Sequence, residues 1–157
     1  MRGRLTLSKR NTPVHLADPI TQPQFYRDVA GKRLMAWVVD TILVVLICLL
    51  ILPFTAFVAI FFFFGLIGVV GFVYRVITLA TGSATWGMRL MAIEIRDATG
   101  ARLDLGQAFL HTLGYTISWA VPPLQLVSIV LMATSNRGQG LTDMVLGTAA
   151  LNRRAHA

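Results

Sequence analysis

From Thr41 to Tyr74 the chain runs 34 residues without a formal charge, and counting back to Leu34 adds a stretch interrupted only by Asp40. About 20 residues cross the roughly 30 Å hydrocarbon core of a bilayer, so this run is too long for one crossing. Pro53 lies near its middle. The pattern therefore predicts one helix over about 32–52 and a second over about 57–79, joined by a tight uncharged turn. Composition agrees: 55% of residues are hydrophobic and 13% charged, against roughly 25% charged in average soluble domains. The net charge of +7 would ordinarily raise nucleic-acid binding. Small membrane proteins are also basic, through their cytoplasmic flanks, so the placement of the charges decides.

In the second helix Gly65, Gly68 and Gly71 recur beside the Phe61 to Phe64 cluster, a pattern that suits close approach of a neighbouring helix. Residues 88–105 change character. Met91, Ile93 and Ile95 alternate with Ala92, Glu94 and Arg96, and Leu103 and Leu105 alternate with Arg102 and Asp104 across an Asp97-Ala98-Thr99-Gly100 turn. This predicts an amphipathic β-hairpin over about 89–105, which needs further cover because an isolated hairpin is marginal in water. Thr148 to Asn152 is a candidate additional strand. The third apolar region, Leu105 to Asn136, holds Pro122-Pro123 near its centre. It reads as a helical segment over about 107–135, either one long kinked span or two shorter helices in a re-entrant or crossing hairpin.

Seven basic residues lie at or before Arg33, four more are Arg75, Arg89, Arg96 and Arg102, and the last three are Arg137, Arg153 and Arg154. The first connection has none. With the amino terminus in the cytoplasm, a broken hairpin at the prolines leaves every basic residue on one side and lets Thr148 to Asn152 reach the β segment. That topology is preferred over three full crossings. The fold class expected is an all-α membrane protein of three to four transmembrane or re-entrant helices with a small amphipathic cytoplasmic β-hairpin. The first 24 residues, with three prolines and no periodicity, read as a flexible cytoplasmic arm whose basic groups suit anionic lipid; 25–154 form the membrane domain and 155–157 a tail. The one cysteine, Cys48, excludes an intrachain disulfide, and the polar start argues against a cleaved signal peptide.

Arg33 and Asp40 are seven residues apart, so they share a helix face, about 20° apart in rotation and about 10.5 Å apart along the axis. A carboxylate in a span costs about 2.5–3.5 kcal/mol at mid-depth, so Asp40 should face the bundle interior and have a partner or be protonated. It is either a polar clasp that fixes packing or a transport or proton-handling group. Arg33 reads as a snorkelling anchor or as a partner for such a carboxylate. Later, Asn136-Arg137-Gly138-Gln139-Gly140-Leu141-Thr142-Asp143-Met144 places Asp143 near the start of a short helix, where it could cap exposed amides.

Three ordered motifs carry a resemblance. They are Gly31-Lys32-Arg33-Leu34-Met35-Ala36-Trp37-Val38-Val39-Asp40, then Thr85-Trp86-Gly87-Met88-Arg89-Leu90 with Ile95-Arg96-Asp97-Ala98-Thr99-Gly100, then Arg137-Gly138-Gln139-Gly140-Leu141-Thr142-Asp143 with Gly147-Thr148. Together they resemble the RDD family of membrane proteins over about residues 25–154. The resemblance implies that the family's arginine and two aspartates correspond to Arg33, Asp40 and Asp143, with Arg137, Trp86, Gly87 and Gly100 as secondary motif positions. Trp86 stands where many members have proline. Thr142 stands where a histidine is common, which removes a titratable group beside Asp143 and argues against a proton relay through position 142. The expectation is that Arg33 pairs with Asp143, with Asp40 or with both.

No enzyme is expected. His15, His111 and His156 are scattered, with no second histidine or carboxylate at metal-ligand spacing, and neither a phosphate loop nor a nucleophile motif is present. No metal or cofactor is expected. Trp37, Tyr74, Trp86 and Tyr115 fall near span ends, as aromatic belts do, so no nucleic-acid partner is needed to explain them. Two functions remain open for a multi-pass plasma (inner) membrane protein. One is transport of an unidentified small ligand or ion, which is what the resemblance suggests and which requires an oligomer. The other is a non-transporting membrane scaffold or assembly factor, whose buried charges specify helix packing and whose cytoplasmic β-layer docks a protein partner.

Overall fold

The structure, a computed structural model, describes residues 16–55 and 58–153. Most of the expected arm, with His15, and the tail with His156 lie outside the described residues. Helix α1 spans Val29–Ile51 and helix α2 Phe63–Gly82. Each is close to its expected position, with short 3-10 turns at Leu52–Thr55, which contains Pro53, and at Val58–Phe62 between them. On α1 the buried seam is Ala36, Asp40, Val44 and Cys48, spaced at four residues, while Leu34, Ile42, Leu46 and Leu50 on the other faces are exposed. A helix with apolar side chains on its outward faces suits lipid and not water. The segments Pro23–Thr55 and Ile60–Gly82 are long and apolar enough to cross a membrane.

The glycine series does not serve packing within the chain as expected. A methyl group at Gly65 or Gly68 would meet nothing within 4 Å, and only Gly71 faces a neighbour, Val44. Helix α1 crosses α2 at the end nearer Gly71, and the aromatic-rich end of α2 is exposed.

At the prolines the chain breaks as the shorter-helix reading requires. Helix α4, Leu105–Ala120, ends at extended Val121, and Pro122 and Pro123 open helix α5, Pro122–Thr134, where proline's missing N–H costs nothing. The axes bend by 116°, so α5 turns back relative to α4. With 16 and 13 residues the two are about 24 and 20 Å long, each short of a full crossing.

The small antiparallel sheet is present, and its second strand is the later candidate. Strand β1, Ile93–Arg96, pairs with β2, Ala149–Asn152, in the register Ile93↔Asn152 to Arg96↔Ala149. Of the expected local return strand only a single bridge, Arg96↔Arg102, remains. The flanks go elsewhere for identifiable reasons. Thr85 caps a short helix α3, Trp86–Leu90, and Asp104 with Gln107 forms a reciprocal capping box that draws Leu105 into α4. The expected alternation holds in β1: Ile93 and Ile95 are buried in a core with Leu79, Ala84, Met88 and Leu103, while Glu94 and Arg96 pair at 2.6 Å. Ser83 ends α2 at φ 52°, where its hydroxyl accepts from the Leu103 N–H and its carbonyl from the Ile95 N–H.

Asn152 closes this end of the molecule. Its carbonyl oxygen accepts from Lys32 Nζ at 2.6 Å, and its amide donates to the carbonyls of Gln24 and Arg27. The start of α1, the end of α2 and the sheet therefore share one end of the bundle. Replacing Asn152 with Ala removes three bonds, each worth about 0.5–1.5 kcal/mol at most in this partly exposed setting. We expect faster trypsin cleavage at Arg27 and Lys32 in detergent with the α-helical circular dichroism unchanged.

Candidate functional site

Asp40 lies on the buried seam of α1, 4% exposed, and both oxygens of its carboxylate accept from donors in the α2–α3 region. One oxygen accepts from the Tyr74 hydroxyl at 2.7 Å and the Gly87 N–H at 2.8 Å; the other accepts from the Thr85 hydroxyl at 2.5 Å. The network is reciprocal, since Tyr74 Oη accepts from the Trp86 N–H and Thr85 Oγ1 from the Met88 N–H. Gly87 permits it. A Cβ there would collide with the Ala36 carbonyl oxygen and lie 2.9 Å from the Asp40 carboxyl carbon. The polar-clasp reading of Asp40 thus has a specific form: α1 holds the amino-terminal turn of α3. Trp86 keeps its ring largely exposed beneath Arg89, and Gly100 takes the positive φ of 80° that ends the turn after β1.

Arg33 and Asp40 are not partners. Arg33 Nη1 pairs with Asp143 Oδ2 at 2.5 Å, the Arg33 side chain 14% exposed and Asp143 1%, and it also reaches the Gly138 carbonyl. Asp143 sits three residues after Gly140, the residue that opens helix α6, Leu141–Leu146, and it accepts the Gly140 N–H at 3.0 Å. The capping role and the ion-pair role coexist in one side chain. Its other oxygen accepts from the Thr148 hydroxyl at 3.0 Å and faces His111 Nε2 at 2.9 Å. Burial alone would raise the Asp143 pKa, but the Arg33 charge and the His111 hydrogen bond outweigh it and hold the carboxyl well below the usual carboxylate range. An ionised carboxylate only accepts, so His111 presents Nε2–H to it.

The imidazole that meets Asp143 comes from α4, as His111, and the Thr142 side chain packs where a Cβ on Gly114 would lie. Arg137, in the loop before α6, makes no ion pair among the described residues.

Between these two clusters lies a cavity of about 390 Å³, walled by α1, α4 and α5 and reached from α2 by Arg75. Arg33, Asp40, His111 and Asp143 all border it. Trp37 and Tyr115 bridge α1 to α4 by an Nε1–H to Oη bond of 2.9 Å, and Trp37 stacks on Trp119 with ring centres 5.5 Å apart. Arg75 is 9% exposed, and its guanidinium carbon lies 3.9 Å from the centre of the Tyr115 ring.

Charged side chains gathered inside a helical hairpin and a folded-back helix pair define a polytopic membrane protein with a polar site at one end of its bundle. A family model described as the RDD family matches residues 28–147, a span that holds Arg33, Asp40 and Asp143, and the chain belongs to that family. No curated protein and no solved structure matches it.

His111 and Arg75 are the site residues that sequence reasoning misses. His111 has no ligand-spaced neighbour in sequence because its partner is 32 positions away. Arg75 counts by charge with the basic flanks, although it lies inside the second expected helix, seven residues before Gly82. That position puts it about 10.5 Å inside the end of α2, and this depth is the signal the sequence carries.

Two substitutions test the clusters. Gly87→Ala forces α3 away from α1 and should lower stability by about 1–3 kcal/mol, read as a lower unfolding temperature in detergent. Asp143→Asn leaves the Arg33 charge without its partner and should cost about 3–5 kcal/mol. Because the folded-state pKa of Asp143 is depressed, its stabilisation is full above the ordinary value of about 3.9 and fades as pH falls below that. Acid titration of unfolding should therefore show a loss below about pH 4 in the wild type that is flattened in Asp143→Asn. Combining Arg33→Asp with Asp143→Arg should not restore stability, since a guanidinium at position 143 would face the Gly140 N–H, Thr148 and His111, three groups arranged to donate.

Proposed function

We propose that this RDD-family membrane protein binds a small solute in the cavity between α1 and the α4–α5 pair and carries it across the membrane as an oligomer. The observation that supports the reading is the cavity itself, a mostly apolar space with Arg33, Asp40, Arg75 and Asp143 on its border. Ionisable side chains among membrane helices characteristically face such cavities and mark solute or ion pathways. Two full spans and a folded-back pair cannot enclose a pathway alone, and the exposed face of α2 with Gly65 and Gly68 offers room for a second copy. The reading is non-enzymatic. The excess of basic residues at the end bearing the sheet supports a cytoplasmic position for that end and the amino terminus in a plasma-membrane protein.

Transport requires that the cavity open to both sides, whereas a scaffold needs no such access. Ser118 borders the cavity, is 4% exposed and bonds only the Gly114 carbonyl, so Ser118→Cys in a Cys48→Ala background is a mild probe. A membrane-impermeant maleimide should label it in oriented vesicles from either side. Labelling from one side only, or from neither, removes the support for transport and favours the scaffold.

A further inference from the structure

Beyond the Arg33–Asp143 ion pair, two charged side chains border the cavity without an ionic partner among the described residues, Asp40 and Arg75, and only Arg75 has its hydrogen-bonding groups unused. Arg33 is matched by Asp143. Asp40 accepts three hydrogen bonds from neutral donors, and Asp143 accepts from Arg33, Gly140, Thr148 and His111. A carboxylate offers about four acceptor sites, so neither has much capacity left. The Arg75 side chain, 9% exposed and bordering the cavity, makes no hydrogen bond and no ion pair among the described residues, and its Nε is buried without a partner.

The Tyr115 ring does not meet this need. It lies 3.9 Å from the guanidinium carbon and engages the cation electrostatically. The five N–H donors of arginine, however, lie in the guanidinium plane in a fork that fits a carboxylate with two parallel bonds. A buried cation whose fork is unused is an unfinished contact. The rest of the wall specifies what completes it: Leu34, Trp37, Trp119, Ile129 and Met132 present apolar and aromatic surface, and Gln125 adds a side-chain amide with no hydrogen-bond partner among the described residues.

We propose that the cavity binds a small organic monoanion, a carboxylate on an apolar or aromatic body, with its charge held by Arg75 and its body against Trp37 and Trp119. Asp40 is satisfied by its three donors, so the unused fork of Arg75 is what selects the ligand, and it fits one carboxylate. A neutral solute leaves that fork without a carboxylate, a dianion places further negative charge beside Asp40 and Asp143, and an inorganic anion leaves the apolar wall uncovered. The volume of about 390 Å³ lies near the lower end of the roughly 300–1,000 Å³ found for small-molecule pockets. This assignment rests on the reading of the cavity as a solute site and does not depend on transport.

The test uses the full chain in phosphatidylcholine nanodiscs, with tryptophan fluorescence and thermal unfolding as readouts and benzoate as the probe. Benzoate should quench tryptophan saturably and raise the unfolding temperature. Benzamide, of the same shape without the charge, and chloride at equal ionic strength should be at least about tenfold weaker. Arg75→Gln should weaken benzoate by about tenfold or more, with Arg75→Lys intermediate because it keeps the charge and loses the fork. Without ligand, Arg75→Gln should unfold at the same temperature as the wild type or higher, since it removes an uncompensated buried cation. Equal binding of benzoate and benzamide by the wild type, or no saturable binding of benzoate up to about 10 mM, overturns the proposal; so does unchanged benzoate affinity in Arg75→Gln. A cavity that labels from both sides but takes no benzoate refutes the anion alone. Arg75-dependent benzoate binding with labelling from one side refutes transport alone.

Discussion

A carboxylate in the apolar part of this bundle persists only if both its oxygens are hydrogen-bonded, and the packing of the first three helices follows from that demand at Asp40. Its donors are the Tyr74 hydroxyl of α2, the Thr85 hydroxyl that caps α3 and the Gly87 N–H in the first turn of α3. None is charged. Three neutral donors fix the rotation of α1 against two other elements, and a single guanidinium would have fixed one distance. The small side chains around them, Ala36 and Gly87, are what let the backbones approach closely enough for those bonds to form.

Asp143 makes the second closure, through a charged partner. Arg33 from α1, His111 from α4 and Thr148 just before β2 converge on a residue that also caps α6. The two aspartates are therefore complementary: one assembles the hairpin with the loop that follows it, and the other fastens the folded-back pair to the start of that hairpin. The cavity is the space left between the two closures, with Arg75 as the one border cation that neither aspartate neutralises.

The parts of this arrangement legible in the sequence are those governed by local physics. An uncharged run with a central proline indicates a helical hairpin, and consecutive prolines in a second run indicate a break, because each depends only on neighbouring residues and the solvent. Alternation in Ile93 to Arg96 identifies a strand, but alternation names no partner, so the pairing with β2 is visible only as a candidate. The capping box at Asp104 and Gln107 is a local signal that the alternation through Leu105 masks. The motif residues Arg33, Asp40 and Asp143 stand out in the sequence, but which carboxylate takes the arginine depends on helix geometry. His111 and Arg75 belong to the same long-range class: each becomes part of the site through residues distant in the chain.

The sheet and the Asn152 clasp have a consequence for synthesis. Strand β2, Asn152 and Asp143 all follow the membrane helices in the chain, yet their partners, β1, Lys32 and Arg33, lie before or between them. During translation the first hairpin can insert and satisfy Asp40 from Tyr74, Thr85 and Gly87 as soon as those residues emerge. Arg33 must wait until more than a hundred residues have been added. Chain order thus separates the two closures, since the partners of Asp40 are complete at Gly87 and that of Arg33 only at Asp143, and a chain interrupted between them lacks the carboxylate that Arg33 pairs with.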